Sequence, residues 1–112
     1  MRNQRTLKEE LEVTGVGIHT GTPVTMKVRP APPDHGVIFV RTDVEDPPLI
    51  AASFDNIRKM ERRTALVVDR VEVQTVEHLL AAFWAARLDN AVVELSGPEV
   101  PAGDGSAKEA EK

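Results

Sequence analysis

No cysteine occurs anywhere in the 112 residues, so a disulfide framework and a thiolate zinc site are both excluded, and any metal must be held by imidazoles and carboxylates. Only His19, His35 and His78 can supply an imidazole. Long apolar runs are missing too. Nothing approaches the roughly 18 residues that a membrane-spanning helix needs, and Met1 to Arg5 leads into polar sequence instead of the apolar core of a secretory signal. A cytoplasmic protein without a transmembrane segment is therefore expected. An excess of positive charge is also absent. The net charge of −4 opposes gripping a polyanion, although Arg58, Lys59, Arg62 and Arg63 make one local basic cluster, and nucleic acid is not expected as a partner. Internal repeats and low-complexity segments are absent.

What remains is ordinary soluble protein. The chain is long enough for one modest core and too short for two; residues 1–107 read as one domain and 108–112 as a polar tail. Eight prolines and seven glycines imply many turns. Val24, Met26 and Val28 alternate with Thr25 and Lys27, the mark of a half-buried strand, closed by Pro30, Pro32 and Pro33. Further strands are expected at 37–40, 49–52, 64–68, 71–74 and 91–95, with Asp69-Arg70 as a hairpin turn. One helix is expected over 76–86, with Thr75 as its N-cap and Val76, Leu79, Leu80 and Phe83 as its apolar stripe. Ala81, Ala82, Ala85 and Ala86 leave it hardly any polar face, which predicts cover on both sides. Short strands around one helix indicate an α+β domain, a mostly antiparallel sheet packed on one long helix.

Three groups of residues can carry chemistry. Thr14-Gly15-Val16-Gly17-Ile18-His19-Thr20-Gly21 reads as a turn or tight loop. Its G-x-G-x-x-x-G spacing, followed by a strand pattern, excludes a dinucleotide fingerprint, which needs a helix there. His19 either donates to a ligand oxygen or is a solvated loop histidine. Glu77-His78 sits in the first turn of the helix, where the positive end of the dipole favours the neutral imidazole that binds metal. The adjacent carboxylate can accept a proton from an activated water; equally, the pair can be a simple helix-start arrangement, and no HExxH motif is present. Asp104-Gly105-Ser106 offers a cap for a following helix.

Taken together and in order, several segments resemble the zinc-dependent UDP-3-O-acyl-N-acetylglucosamine deacetylases of lipid A synthesis. They are Gln4-Arg5-Thr6-Leu7-Lys8 with the glycine loop, Arg29-Pro30-Ala31-Pro32, Arg41-Thr42-Asp43, Thr75-Val76-Glu77-His78-Leu79-Leu80-Ala81-Ala82, and Leu88-Asp89-Asn90 leading to Glu99-Val100-Pro101 and Asp104-Gly105-Ser106-Ala107. The resemblance implies that His78 is a ligand to Zn2+, that Glu77 is the general base, and that His19 lies near the bound sugar nucleotide. It also places the 59–64 stretch, with Arg63 and Thr64, along the substrate passage, where Glu61-Arg62-Arg63 is more charged than the family pattern.

The same resemblance implies a missing carboxy-terminal domain or separate complementary chain that completes the zinc site, so this chain alone is expected to be inactive. The first domain is itself expected to be truncated, since the chain ends Lys108-Glu109-Ala110-Glu111-Lys112 where the family continues into a helix. Two alternatives stay open: an inactive remnant acting as an interaction domain, and a metal-free nucleotide-binding module using the glycine loop and the basic cluster.

Overall fold

The computed structural model describes residues 5–17, 20–59 and 64–101. Along them run β1 (Leu11–Val16), β2 (Pro23–Pro30), β3 (Val37–Arg41), β4 (Ile50–Ala51), a 3-10 turn at Phe54–Asn56, β5 (Ile57–Lys59), β6 (Thr64–Val68), β7 (Val71–Gln74), α1 (Glu77–Ala85) and β8 (Ala91–Leu95). The strands form a five-stranded sheet in the order β1-β2-β8-β3-β4 and a three-stranded sheet in the order β5-β6-β7. The fold is α+β and mostly antiparallel. The exception is β3 against β8, which is parallel. A parallel pair needs a long crossover, and here that crossover contains the entire second sheet and α1.

Alternation along β2 does what the sequence predicts. Val24, Met26 and Val28 are buried and share one hydrophobic cluster with Val13, Phe39, Ile50, Val93 and Leu95 of the first sheet, Leu66 and Val73 of the second, and Val76, Leu79, Ala82 and Phe83 of the helical segment. The opposite face of the first sheet is charged: Arg29 Nε lies 2.7 Å from Glu10 and its Nη2 3.5 Å from Glu94. The two sheets meet where β4 approaches β6 and β3 approaches β7. Arg41 straps that junction, forking onto Asp43 at 3.0 and 2.6 Å while its Nη1 donates to the Glu72 carbonyl at 3.2 Å.

Several expectations are corrected. The 14–21 stretch is only partly a loop, because Thr14, Gly15 and Val16 belong to β1 and pair with Thr25, Val24 and Pro23; a full ladder with β2 outweighs the local turn preference of Thr-Gly. The loop proper is closed by Gly17 N–H donating to the Thr22 carbonyl at 3.1 Å and Gly21 N–H to the Gly17 carbonyl at 3.0 Å, with Gly21 at φ +65°. The 49–52 strand is reduced to Ile50–Ala51, and β5 is an additional three-residue strand. Asp69 and Arg70 do form the β6–β7 turn, both with positive φ (51° and 67°), as a two-residue hairpin of the primed type requires.

The helix is shorter than the long one expected, nine residues. Thr75 does not cap it. Val76 occupies the N-cap position with no side-chain cap hydrogen bond, because Thr75 sits at φ +61° with its hydroxyl turned to Glu99. Nor is the helix covered on both sides among the described residues: Val76, Leu79, Ala82 and Phe83 are buried, whereas Ala81 and Ala85 are exposed and Trp84 is 86% exposed. Its far end closes without glycine. Arg87 adopts φ +58°, its N–H donates to the Trp84 carbonyl at 3.1 Å, and the Leu88 N–H reaches back to the Phe83 carbonyl at 2.9 Å, the paired bonds of a Schellman closure.

Candidate active site

Glu77 and His78 follow directly from the way β7 turns into α1. Gln74 ends the strand, Thr75 reverses the chain in the left-handed region, and Val76 leads into the first helical turn. This corner is docked on the start of β6. The Thr64 carbonyl accepts the N–H groups of Thr75 at 2.8 Å and Val76 at 3.3 Å, and the Thr64 N–H donates to Glu77 Oε1 at 3.4 Å. Glu77 is half-buried and His78 is exposed. A carboxylate in the first turn also interacts favourably with the helix dipole.

Of the five residues predicted for the site, Thr64 and Glu77 are brought into contact, and His78 follows Glu77 in the helix. His19 and Arg63 lie outside the described residues. Thr20, next to His19, is described, and its N–H donates at 2.8 Å to Glu99 Oε1.

In the sequence Glu99 stands out only as part of a motif, yet in the fold it is the hub of this region. It is 1% exposed. One carboxylate oxygen accepts Thr20 N–H and the other accepts the Thr75 hydroxyl. Its neighbours stitch the segment to β7, through Gln74 N–H donating to the Pro98 carbonyl at 2.7 Å and Val100 N–H to the Gln74 carbonyl at 3.2 Å. A Cβ at Gly17 would overlap the Glu99 carboxylate, so only glycine lets the loop backbone pass over it. The local signal for this role is faint: an acidic residue between Pro98 and Val100-Pro101 looks like surface until the chain folds.

Among the described residues, the donors at this corner that suit a metal such as zinc are one imidazole, His78, and one carboxylate, Glu77. An exposed imidazole beside a half-buried carboxylate can give one ligand and one base. Among the described residues, however, no group of three or more His, Asp or Glu side chains is placed to hold a metal, and a catalytic zinc normally takes three protein ligands.

The sequence profile of UDP-3-O-acyl N-acetylglycosamine deacetylase matches residues 4–110. The chain belongs to that deacetylase family. It is 51% identical over 107 residues to the UDP-3-O-acyl-N-acetylglucosamine deacetylase of Thioalkalivibrio sulfidiphilus, covering 96% of this chain and 35% of that protein. It is 50% identical over 105 residues to the enzyme of the same name from Myxococcus xanthus, covering 94% and 33%. Similarity extends to the bifunctional enzyme LpxC/FabZ of Chlorobaculum tepidum, 47% identical over 105 residues and 22% of its length. The chain thus spans about a third or less of the length of these deacetylase relatives.

Proposed function

We propose that this chain supplies part of the active site for zinc-dependent deacetylation of UDP-3-O-acyl-N-acetylglucosamine in lipid A synthesis. The observation that carries the reading is the Glu77–His78 pair at a helix start, a half-buried carboxylate that accepts the Thr64 N–H and, next to it, an exposed imidazole, in a chain of the deacetylase family. His78 would hold the zinc as one ligand. The others come from outside the described residues, in a carboxy-terminal domain or a complementary chain. When bound, the zinc supplies Lewis-acid polarisation of the reacting carbonyl and water.

The chain's own contribution is a base, a scaffold and a substrate wall. Glu77 accepts the proton lost by the water that attacks the acetyl carbon. The amine leaves with a proton from a group outside the described residues, giving acetate and the free-amine sugar nucleotide. Thr64, Arg63 and His19 contribute to the substrate passage. Docking of the complementary half uses the outer face of α1, where Trp84, Ala81 and Ala85 are exposed; a contiguous apolar patch on a surface helix marks an interaction site.

The test is calorimetric titration of zinc into the metal-free chain, alone and mixed with the carboxy-terminal half of a full-length relative, each repeated with His78→Ala. Tight zinc binding and deacetylation are expected only in the mixture and are expected to vanish with the variant. Turnover by the chain alone, or a mixture in which the halves ignore each other, would overturn the reading.

A further inference from the structure

A buried carboxylate is an expensive way to fill space. Removing a charge from water costs free energy unless it is paired and hydrogen-bonded, and an apolar side chain of similar volume often serves stability as well or better. What an apolar residue cannot do is accept hydrogen bonds from two separate segments at once. Glu99 does so: Oε1 takes the Thr20 N–H of the glycine loop and Oε2 takes the Thr75 hydroxyl at the corner between β7 and α1.

Thr75 needs such a hold. A β-branched residue at φ +61° is a backbone outlier, and such conformations persist only where the surroundings over-determine them. Here the Thr75 N–H is bound to the Thr64 carbonyl, its hydroxyl to Glu99, and the preceding Gln74 to Pro98 and Val100 on either side of Glu99. The direction in which the chain leaves Thr75 sets the first turn of α1, with Glu77 two residues on. From this geometry we propose that Glu99 is a positioning residue, locking Thr75 in the left-handed conformation that aims Glu77 and His78 and coupling that corner to the glycine loop. The proposal rests on the reading of Glu77 and His78 given above, because it is their placement that Glu99 controls.

The test begins on the 112-residue chain without metal, by residue-resolved amide hydrogen exchange. Glu99→Gln keeps the volume but replaces one acceptor oxygen with an amide donor. Thr75→Val keeps the shape and removes only the hydroxyl, so it serves where Glu99→Gln folds poorly. Thr75→Ser keeps the hydroxyl. Val93→Ala in β8 is a control for general destabilisation.

Glu99→Gln and Thr75→Val are expected to speed exchange at Thr75 and Val76 by roughly 10- to 100-fold over their effect elsewhere, the value of a hydrogen bond to a charged group. Thr75→Ser should behave as the parent does, and the double variant Glu99→Gln/Thr75→Val should lose no more than the worse single, because both remove one interaction. Uniform exchange changes like those of Val93→Ala, or additive losses, would overturn the proposal. In the mixture with a carboxy-terminal half, the same two variants should lower kcat by about 10- to 100-fold, as loss of supporting partners does, with Thr75→Ser near parental. Selective loosening with undiminished kcat would also overturn it. A parental mixture with no deacetylase activity would instead sink the proposed reaction, leaving the exchange pattern to decide whether Glu99 positions the start of α1.

Discussion

Arg87 shows how much can hang on one backbone angle. Glycine is the usual residue for a left-handed helix end, and the chain has arginine there, held at φ +58° while the last turn of α1 closes around it. A left-handed non-glycine residue costs on the order of 1–2 kcal/mol, part of which glycine gives back through the greater entropy it loses on folding. Arg87→Gly is therefore expected to stabilise the chain by about 0.5–1 kcal/mol, read as a higher urea midpoint at unchanged slope. A lower midpoint would mean that the arginine side chain matters more than its backbone. Thr75 is the opposite case. There a strained angle has dedicated partners, and the residue does not cap the helix although threonine before a helix usually does. Nothing in the neighbouring sequence reveals that its hydroxyl is spoken for by a carboxylate 24 positions away.

At the scale of elements, α1 divides sharply between its faces. Phe83 is 2% exposed and Trp84 is 86% exposed, although both are large aromatics at adjacent positions. Phe83→Ala should cost about 3–5 kcal/mol through lost burial and the cavity left behind, and Trp84→Ala should stay within about 0.5 kcal/mol; chemical denaturation of the two variants checks the contrast. The periodicity of Val76, Leu79 and Phe83 made the buried stripe legible, as alternation did for β2. Two elements were harder to read. The end of β1 contains Gly15, a poor strand residue, and is a strand because six consecutive positions pair with β2. β5 is three residues held by β6, too short for any pattern to declare itself.

For the whole molecule, the informative fact is the position of the second sheet and α1 within the crossover between the parallel strands β3 and β8. The candidate site lies where that crossover folds back, on the start of β6 and beside the glycine loop that follows β1. Such an arrangement leaves the outer face of α1 without cover among the described residues. If that face receives a complementary half, Trp84→Ala should weaken assembly by about tenfold or more, the usual weight of a central tryptophan at an interface, while leaving the chain's own stability nearly unchanged. Titration of the two halves by calorimetry would measure it, and an unchanged affinity would move the docking surface elsewhere.

Local chemistry and chain order settled a good deal by themselves. The lack of cysteine, the alternation along β2, the Asp69-Arg70 turn and the adjacent Glu77 and His78 are all properties of neighbours in the chain, and the ordered motifs were enough to identify the family. Tertiary structure alone decided which groups meet. Thr64, Thr75, Glu99 and Thr20 come from four separate segments, and their contacts depend on strand register and on how the crossover returns to the first sheet. Burial of the Glu99 carboxylate follows from that convergence, since a charge can be held away from water only where folding supplies its partners.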